Sequence, residues 1–248
     1  FLEFSPVVAQ WLNWPKARRI LEGLSTGAVI FGITLSTLHQ SGLGALFLLA
    51  PTKVHPLWYS GNIPVMFFVS SIFAGLSMVM IESFFTQKAF KDRIGHELHA
   101  AHDSILLGLG KGAVGALFAY IFLKLIDFVH YKQWVHLDTP MGYWYLFEIV
   151  GFVLLPTALF LQAIRKRSAK LVQFTAFLTA AGVILNRLNV SVIGFKWYET
   201  VRYYPSWMEI WITLAIISME LWVFRWVILR MPVFSEEHIA AEEKTAEE

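Results

Sequence analysis

Six apolar stretches follow one another along this chain, and each is long enough to cross a lipid bilayer. A membrane-spanning helix needs about 20 mostly apolar residues, because the hydrocarbon core is about 30 Å thick and a helix rises about 1.5 Å per residue. An ordinary globular core does not require six such runs. The sequence therefore predicts an all-α integral membrane protein with six transmembrane helices, at residues 19–50, 58–88, 99–131, 141–164, 169–194 and 205–231.

The composition supports this class and excludes several others. Only 15% of the residues are charged and 56% are hydrophobic, whereas about 25% are charged in typical soluble proteins. The basic residues cluster at the ends of the predicted helices, so the net charge of +2 does not indicate a nucleic-acid partner. The sequence contains no cysteine, which excludes Fe–S clusters, thiolate metal sites and cysteine nucleophiles held by these residues.

We expect three parts along the chain. Residues 1–18 are interpreted as the end of a preceding helix followed by a cytoplasmic amphipathic segment, because the chain opens inside an apolar run, FLEFSPVVAQ. Residues 19–234 form the six-helix transmembrane domain, and residues 235–248 form an acidic cytoplasmic tail. The abrupt apolar start favours a chain that lacks upstream sequence.

Lys and Arg residues are unevenly divided between alternate connections of the predicted spans. One set of connections carries eleven and the other carries four, and cytoplasmic loops are the ones enriched in Lys and Arg. The N-terminal segment, the second and fourth connections and the C-terminus are therefore predicted to be cytoplasmic. The eleven are Lys16, Arg18, Arg19, Lys88, Lys91, Arg93, Arg165, Lys166, Arg167, Lys170 and Arg230.

The predicted outward connections are rich in Trp, Tyr and Pro. Aromatic rings favour the headgroup region, because one end of the ring is apolar and the other can hydrogen-bond to water. A membrane-interface belt explains most of these residues, and a docking surface for a partner protein would use the same ones. The docking candidates are His55, Trp58, Tyr204 and Trp207.

Several ionisable residues fall inside the predicted spans, where each costs about 2.5–3.5 kcal/mol on insertion scales. Glu148 and Arg187 each need a partner from another helix or from water, so they form either a structural ion pair or part of a proton path. Lys124 and Asp127 are three residues apart and can pair along one helix face. The candidates for proton movement or charge pairing are Glu82, Glu148, Arg187 and Glu209.

The densest polar cluster at membrane depth is His39 with Gln40, in the first predicted span. An imidazole can donate to a quinone carbonyl and exchange a proton near neutral pH, so these two are the candidate quinone-binding residues. A core histidine bonded to a neighbouring hydroxyl or carbonyl is the alternative. The other histidines lie at predicted helix ends or in loops, so a bis-histidine haem lacks a second ligand within the bilayer. The HELHAAH segment does not match the zinc pattern HExxH.

Four segments together resemble one known family. They are LEFSPVVAQWLNW at 2–14, STLHQSGLG at 36–44 followed by KVHPLW at 53–58, NRLNVSVIGF at 186–195 and YYPSWMEI at 203–210. They resemble the HybB-type branch of the NrfD/polysulfide-reductase membrane subunits, and the similarity runs over essentially the whole chain. The resemblance implies the C-terminal part of a roughly ten-helix protein, in a bacterial inner membrane.

The resemblance also implies a function. It implies a membrane subunit that exchanges electrons between the quinone pool (menaquinone or ubiquinone) and a periplasmic, ferredoxin-like Fe–S subunit of a Ni/Fe hydrogenase. Such a subunit has no catalytic residues, haem or metal of its own, and proton movement can accompany the electron exchange. The alternatives are a membrane subunit of a molybdenum or multihaem-cytochrome oxidoreductase, a structural membrane anchor, or a secondary transporter, although no internal repeat supports the last.

Overall fold

The computed structural model describes residues 14–89, 96–199 and 205–230, together with Ser5, Val8, Ala9 and Leu12. Within these residues the regular secondary structure is helical, and no β-strand forms. One isolated antiparallel bridge joins Val54 to Phe195. The predicted all-α class is confirmed for the described part of the chain.

The described residues form seven α-helices and four shorter helical segments. The α-helices are α1 (Pro15–Leu46), α2 (Ile63–Ala89), α3 (His96–His130), α4 (Pro140–Ile149), α5 (Leu155–Arg165), α6 (Ala169–Leu188) and α7 (Trp207–Arg230). Two 3₁₀ segments lie at Phe47–Leu49 and Gln133–His136. Two π-helical segments lie at Val150–Leu154, between α4 and α5, and at Asn189–Ile193, after α6.

Five helical segments in the described part are long and apolar enough to cross a membrane. They coincide with the first five predicted runs and are Gly23–Leu49, Ile63–Phe85, His102–His130, Pro140–Arg165 and Ala169–Ile193. The fourth segment joins α4, the first π-helical segment and α5 into one rod of 26 residues. The sixth predicted run contains α7, a helix of 24 residues, and its crossing of the membrane stays a prediction.

The chain divides into two compact units. One comprises Phe1–Leu35 and Tyr203–Glu248, and the other comprises Ser36–Arg202. In the second unit, α2 packs against α3 and α6, and α5 packs against α3 and α6. The buried apolar side chains at this junction include several with no exposed surface at all, among them Met80, Leu117, Phe160 and Val172.

Three connections of the second unit meet at one end, which we call the loop end: residues 47–62, 131–139 and 194–199. The His55 amide donates to the Gly194 carbonyl at 2.8 Å, and the Gly61 amide donates to the Tyr131 hydroxyl at 2.8 Å. Helix α4 starts here because Pro140 suits the first turn and the Thr139 hydroxyl accepts from the Gly142 amide at 3.0 Å. The opposite end, with residues 165–170, is called the basic end.

Candidate functional site

A buried carboxylate lies at the centre of the polar side chains of the second unit. Glu148, in α4, is 1% exposed. Its carboxylate accepts hydrogen bonds from the Trp58 indole (Nε1 to Oε2, 2.7 Å), the Asn186 amide (Nδ2 to Oε1, 2.6 Å) and the Asn189 amide (Nδ2 to Oε2, 2.5 Å). Three donors aimed at one carboxyl group offset its removal from water and hold it in a defined orientation.

The guanidinium of Arg187 is linked to this carboxylate through an amide. Asn186 donates to Glu148, while its Oδ1 accepts from Arg187 Nη1 at 3.2 Å. Arg187 also donates to the Ser70 hydroxyl at 2.7 Å and stacks on Phe67, with Cζ 3.5 Å from the ring centroid. Within the described contacts Glu148 and Arg187 make no direct ion pair, so Asn186 lies between the two predicted charge partners.

Both π-helical segments border this cluster. The first, Val150–Leu154, begins two residues after Glu148, and the second, Asn189–Ile193, begins with a Glu148 donor. A π segment shifts the backbone hydrogen bonds from the i−4 to the i−5 carbonyl, which rotates the following residues, and such segments are frequent at functional sites. Pro156 follows the first segment. Proline has no N–H to donate and fits poorly inside an uninterrupted α-helix, and the π-helical segment lies directly before it.

Lys124 and Asp127 in α3 lie near the same cluster, and their predicted pairing is not what forms. Asp127, 1% exposed, accepts from the Asn62 amide instead (Nδ2 to Oδ1, 2.8 Å), and its Oδ2 is buried without a hydrogen-bond partner. The Lys124 ammonium lies 5.5 Å from the ring centroid of Tyr145 and 5.9 Å from that of Tyr120. The aromatic faces hold the cation in place of the neighbouring carboxylate.

A small cavity of about 10 Å³ adjoins Glu148. That volume corresponds to about one water molecule. Its polar lining comes from Ser70, Tyr120, Glu148 and Asn186, so a single water there would find the several hydrogen-bond partners that buried water requires.

The candidate quinone residues lie on the last part of α1. His39 is exposed and Gln40 is half-buried. The end of this helix packs closely on α2, because a Cβ added to Gly44 would lie 3.0 Å from both the Phe67 Cβ and the Pro64 Cα. The glycine that closes the 36–44 segment therefore permits the helix contact, while His39 faces away from the described interior.

The other two carboxylates proposed for proton movement are exposed. Glu82 lies on α2 near its basic end. Glu209 lies in the first turn of α7, where its Oε2 accepts from the Ser206 amide at 3.3 Å and its own amide donates to the Ser206 hydroxyl at 3.4 Å. This reciprocal pair is a capping box, and the S-x-x-E spacing at 206–209 is its sequence signal.

The docking candidates occupy different environments. His55 and Trp58 are buried, at 4% and 3% exposure, whereas Trp207 is exposed; Tyr204 lies outside the described residues. The His55 ring packs against Trp197, with centroids 4.8 Å apart, and its Nδ1 accepts from the Leu57 amide at 3.2 Å. Burial, together with the nearby His136, lowers the pKa of His55 to about 4, so this imidazole is neutral at pH 7.

Sequence reasoning missed most of the side chains that contact Glu148. Trp58 was predicted at a docking surface, and Asn186 and Asn189 carried no assigned role, although all three donate to the carboxylate. The spacing N-R-x-N places the two amides three residues apart on one helix face, and this was the available signal. Within the described residues, no three His, Asp or Glu side chains come close enough together to hold a metal ion.

The chain is similar to two curated proteins and to one family model. The model described as polysulphide reductase, NrfD matches residues 4–197. A protein of Nitratidesulfovibrio vulgaris (strain Hildenborough) is 41% identical over 238 residues, which is 95% of this chain and 61% of that protein. The probable Ni/Fe-hydrogenase 2 b-type cytochrome subunit of Escherichia coli (strain K12) is 24% identical over 234 residues, which is 94% of this chain and 58% of that relative.

No solved structure matches the chain. The chain spans about three fifths of the length of the curated relatives it matches.

Proposed function

Because this chain belongs to the polysulphide reductase NrfD family of membrane subunits, we propose that it is the quinone-reactive membrane subunit of a respiratory oxidoreductase complex. It exchanges electrons between the quinone pool and an Fe–S partner on the outward face. The naming of one relative as a hydrogenase subunit supports a Ni/Fe hydrogenase as the catalytic partner. A ferredoxin-like Fe–S subunit would then stand between that enzyme and the quinone.

One observation carries this proposal: a buried, hydrogen-bonded carboxylate inside a bundle of apolar helices. Quinone reduction takes up two electrons and two protons, so a subunit that serves quinone needs ionisable groups at membrane depth. Glu148 is eight residues beyond the start of α4, or about 12 Å along the helix. Its carboxylate accepts three hydrogen bonds in a region where an unpaired carboxylate would be costly, and it takes part in the proposed proton transfers.

His39 is proposed as the donor to a quinone oxygen, with Gln40 beside it. His39 is ten residues before the end of the apolar segment Gly23–Leu49, or about 15 Å along the helix, which is similar to the depth of Glu148. Its exposed position supports a role for a substrate that arrives from the lipid rather than from water. We propose no haem or metal in this chain; quinone, as menaquinone or ubiquinone, is its redox substrate.

The membrane arrangement follows from the charge asymmetry and the family. We propose that α7 crosses the membrane as a sixth span, that the chain is part of a roughly ten-helix protein, and that the C-terminus is cytoplasmic in a bacterial inner membrane. The loop end then faces outward, toward the Fe–S partner. Trp207, exposed at the start of α7, remains the docking candidate with available surface in the described residues.

The test is His39→Ala in the assembled complex, with two activities measured on the same preparation. We expect hydrogen-dependent reduction of a soluble naphthoquinone or ubiquinone analogue to fall about tenfold, the loss for one hydrogen bond of about 1.4 kcal/mol. Reduction of a viologen dye by the hydrogenase partner should be unchanged, because a dye reacts with the soluble subunits directly.

His130→Ala is the control, since His130 is another exposed histidine and lies at the end of α3, away from the proposed quinone depth. Unchanged quinone turnover in His39→Ala would remove His39 from the site. Absence of quinone turnover in the wild-type complex, with the enzyme still held at the membrane, would replace the proposed function by that of a structural anchor.

A further inference from the structure

We infer that the guanidinium of Arg187 is a second quinone contact, which donates a hydrogen bond to an oxygen of a quinone that arrives from the lipid. The inference rests on the proposed function, because it adds a residue to the quinone site of that subunit. Three features of the second unit support it: the guanidinium is held in a fixed plane, some of its N–H groups are left for a ligand, and it is partly exposed on an apolar helix face.

The first feature is the fixed position of the guanidinium. Its Cζ lies 3.5 Å from the centroid of the Phe67 ring, so the two planar groups stack. Nη1 donates to Asn186 Oδ1 at 3.2 Å, and Nη2 donates to the Ser70 hydroxyl at 2.7 Å and to the Phe67 carbonyl at 3.4 Å. A ligand that binds this side chain therefore meets a group that is already ordered, and little further conformational entropy is lost.

The second feature is a surplus of donors. A guanidinium has five N–H groups, and the bonds just described engage one on Nη1 and both on Nη2. Nε–H and the second Nη1–H have no partner among the contacts of the described residues. Hydrocarbon offers no acceptor, and a polar group without a partner is costly there. A carbonyl oxygen that dissolves in lipid satisfies these donors, and a quinone carries such oxygens.

The third feature is access from the lipid. Arg187 is half-buried, whereas Asn186 beside it is buried. Ile184, about one turn earlier, is 63% exposed. Ser191, about one turn later, is exposed, and its hydroxyl donates to the Arg187 carbonyl at 2.7 Å. Positions three and four residues apart share a helix face, so this face of α6 is accessible at the level of the guanidinium.

The depth of Arg187 favours a quinone over a phospholipid head group. Arg187 is six residues before the end of the apolar segment Ala169–Ile193, or about 9 Å along the helix. Phospholipid head groups lie outside the hydrocarbon core, and long Arg side chains ordinarily extend toward them. The Arg187 guanidinium instead bonds across to α2, through Phe67 and Ser70, which keeps it at membrane depth.

The same ring that carries the guanidinium also contacts the helix of the first proposed quinone residue. A Cβ added to Gly44 would lie 3.0 Å from both Cβ and Cγ of Phe67. Gly44 closes the 36–44 segment of α1, and His39 is five residues before it. One aromatic side chain, Phe67, therefore contacts both Arg187 and the helix end that carries His39.

The experiment measures the binding of a quinol analogue to the purified full-length complex in detergent, so it does not depend on turnover. A fluorescent hydroxyquinoline N-oxide serves as the analogue, and quenching of its fluorescence gives the dissociation constant. We expect Arg187→Gln to raise that constant about tenfold, the loss for one charge-assisted hydrogen bond. Arg187→Lys should restore only part of the affinity, because an ammonium lacks the planar fork of donors. Lys111→Gln is the matched control, since Lys111 is an exposed cation inside another span; it should bind as wild type.

A second pair of variants blocks access without changing Arg187 or its described partners. Ile184→Trp places a large ring on the exposed face about one turn from the guanidinium, and it should raise the dissociation constant by about as much as Arg187→Gln. Phe174→Trp is its control, because Phe174 is 60% exposed near the other end of the same helix; it should bind as wild type.

Equal dissociation constants in wild type and Arg187→Gln would overturn the inference and leave the proposed function in place. A rise in Arg187→Gln alone, with Ile184→Trp binding like Phe174→Trp, would give Arg187 a structural role and overturn it too. If Arg187→Gln does not assemble, the comparison of the two tryptophan variants decides. A phospholipid that copurifies with wild type and is lost from Arg187→Gln, with analogue binding unchanged, would assign the guanidinium to a head group instead. Failure of the wild-type complex both to bind the analogue and to reduce quinone would contradict the proposed function itself.

Discussion

At the scale of single residues, the second unit buries two titratable side chains, Glu148 and His55, in different hydrogen-bonding environments. Glu148 keeps its carboxylate next to three N–H donors and an amide-linked guanidinium. His55 does the opposite: its Nδ1 is an acceptor for a backbone amide, and its pKa of about 4 keeps the ring neutral. Each arrangement satisfies the polar atoms that burial would otherwise leave unpaired.

The His55 environment predicts a pH dependence of stability. An unfolded His has a pKa near 6.5 and the folded His55 ring has one near 4. Between these two pH values the unfolded chain binds a proton at His55 and the folded chain does not. The contribution of the neutral His55 ring to the free energy of unfolding is fully present above pH 6.5. It is lost as the pH falls toward 4, and the loss is at most about 3 kcal/mol. We expect the melting temperature in detergent to fall over this range, and to fall less in His55→Asn, which retains an acceptor for the Leu57 amide.

The comparison is made against His130→Asn, which replaces an exposed histidine and should keep the wild-type slope. Equal slopes in wild type and His55→Asn between pH 6.5 and 4 would show that another group causes the acid destabilisation.

At the scale of elements, the two π-helical segments and one glycine set where α6 meets the rod formed by α4 and α5. A Cβ added to Gly182 would lie 2.8 Å from the Phe152 Cβ and 2.9 Å from its carbonyl oxygen. Phe152 belongs to the first π-helical segment, and Gly182 is one turn before Asn186, a Glu148 donor. Close approach of these two backbones therefore brings the amide within reach of the carboxylate.

Gly182→Ala should push the helices apart and lower stability by about 1–3 kcal/mol, the usual cost of overpacking. Thermal unfolding of the purified protein in detergent measures this, and quinone-linked turnover should fall with it because Asn186 moves away from Glu148. Gly115→Ala is the control, since nothing lies within 4 Å of its added Cβ; there the helix propensity of alanine should leave stability equal or slightly higher. Equal melting temperatures in the two variants would mean that the contact at Gly182 relaxes without cost.

At the scale of the whole molecule, the proposed orientation determines which end of the second unit faces the Fe–S partner. Lys53 lies in the loop end and Lys166 in the basic end, and both are exposed. Since the sequence has no cysteine, one introduced thiol at a time reports its own side of the membrane. The same approach addresses α7, whose 24 residues measure about 36 Å.

We expect Lys53→Cys and Ser206→Cys to react with a membrane-impermeant maleimide in intact spheroplasts. Lys166→Cys and Arg230→Cys should react only after the membrane is permeabilised. The physical reason is the excess of Lys and Arg at the basic end, which retains those segments in the cytoplasm. Labelling of Lys166→Cys in intact cells would invert the orientation, and equal access of Ser206→Cys and Arg230→Cys would show that α7 does not cross.

Sequence alone determined the all-α class of the described residues and the approximate positions of five segments long and apolar enough to cross a membrane. Long apolar runs identify membrane helices, because the thickness of the bilayer core requires about 20 mostly apolar residues whatever the individual side chains are. It also identified Glu148 and Arg187 as residues requiring explanation, since a charge at that depth is costly wherever it points. The family resemblance carried by short segments such as STLHQSGLG was confirmed by the family model.

Only the tertiary structure decided which side chains contact the buried charged residues. Two segments distant from Glu148 in sequence supply its donors: the 47–62 connection, and the end of α6 with the π-helical segment that follows it. The separations reach 90 residues, and no periodicity encodes such contacts. The spacing allows Lys124 to pair with Asp127, but ring faces hold the lysine, and the amide of Asn62, in the 47–62 connection, binds the aspartate. A helical spacing places two side chains on one face and says nothing of what the neighbouring helix offers there. Competition among those neighbours is a property of the packed bundle, because hydrogen-bond and cation–π geometry is satisfied between helices rather than along one.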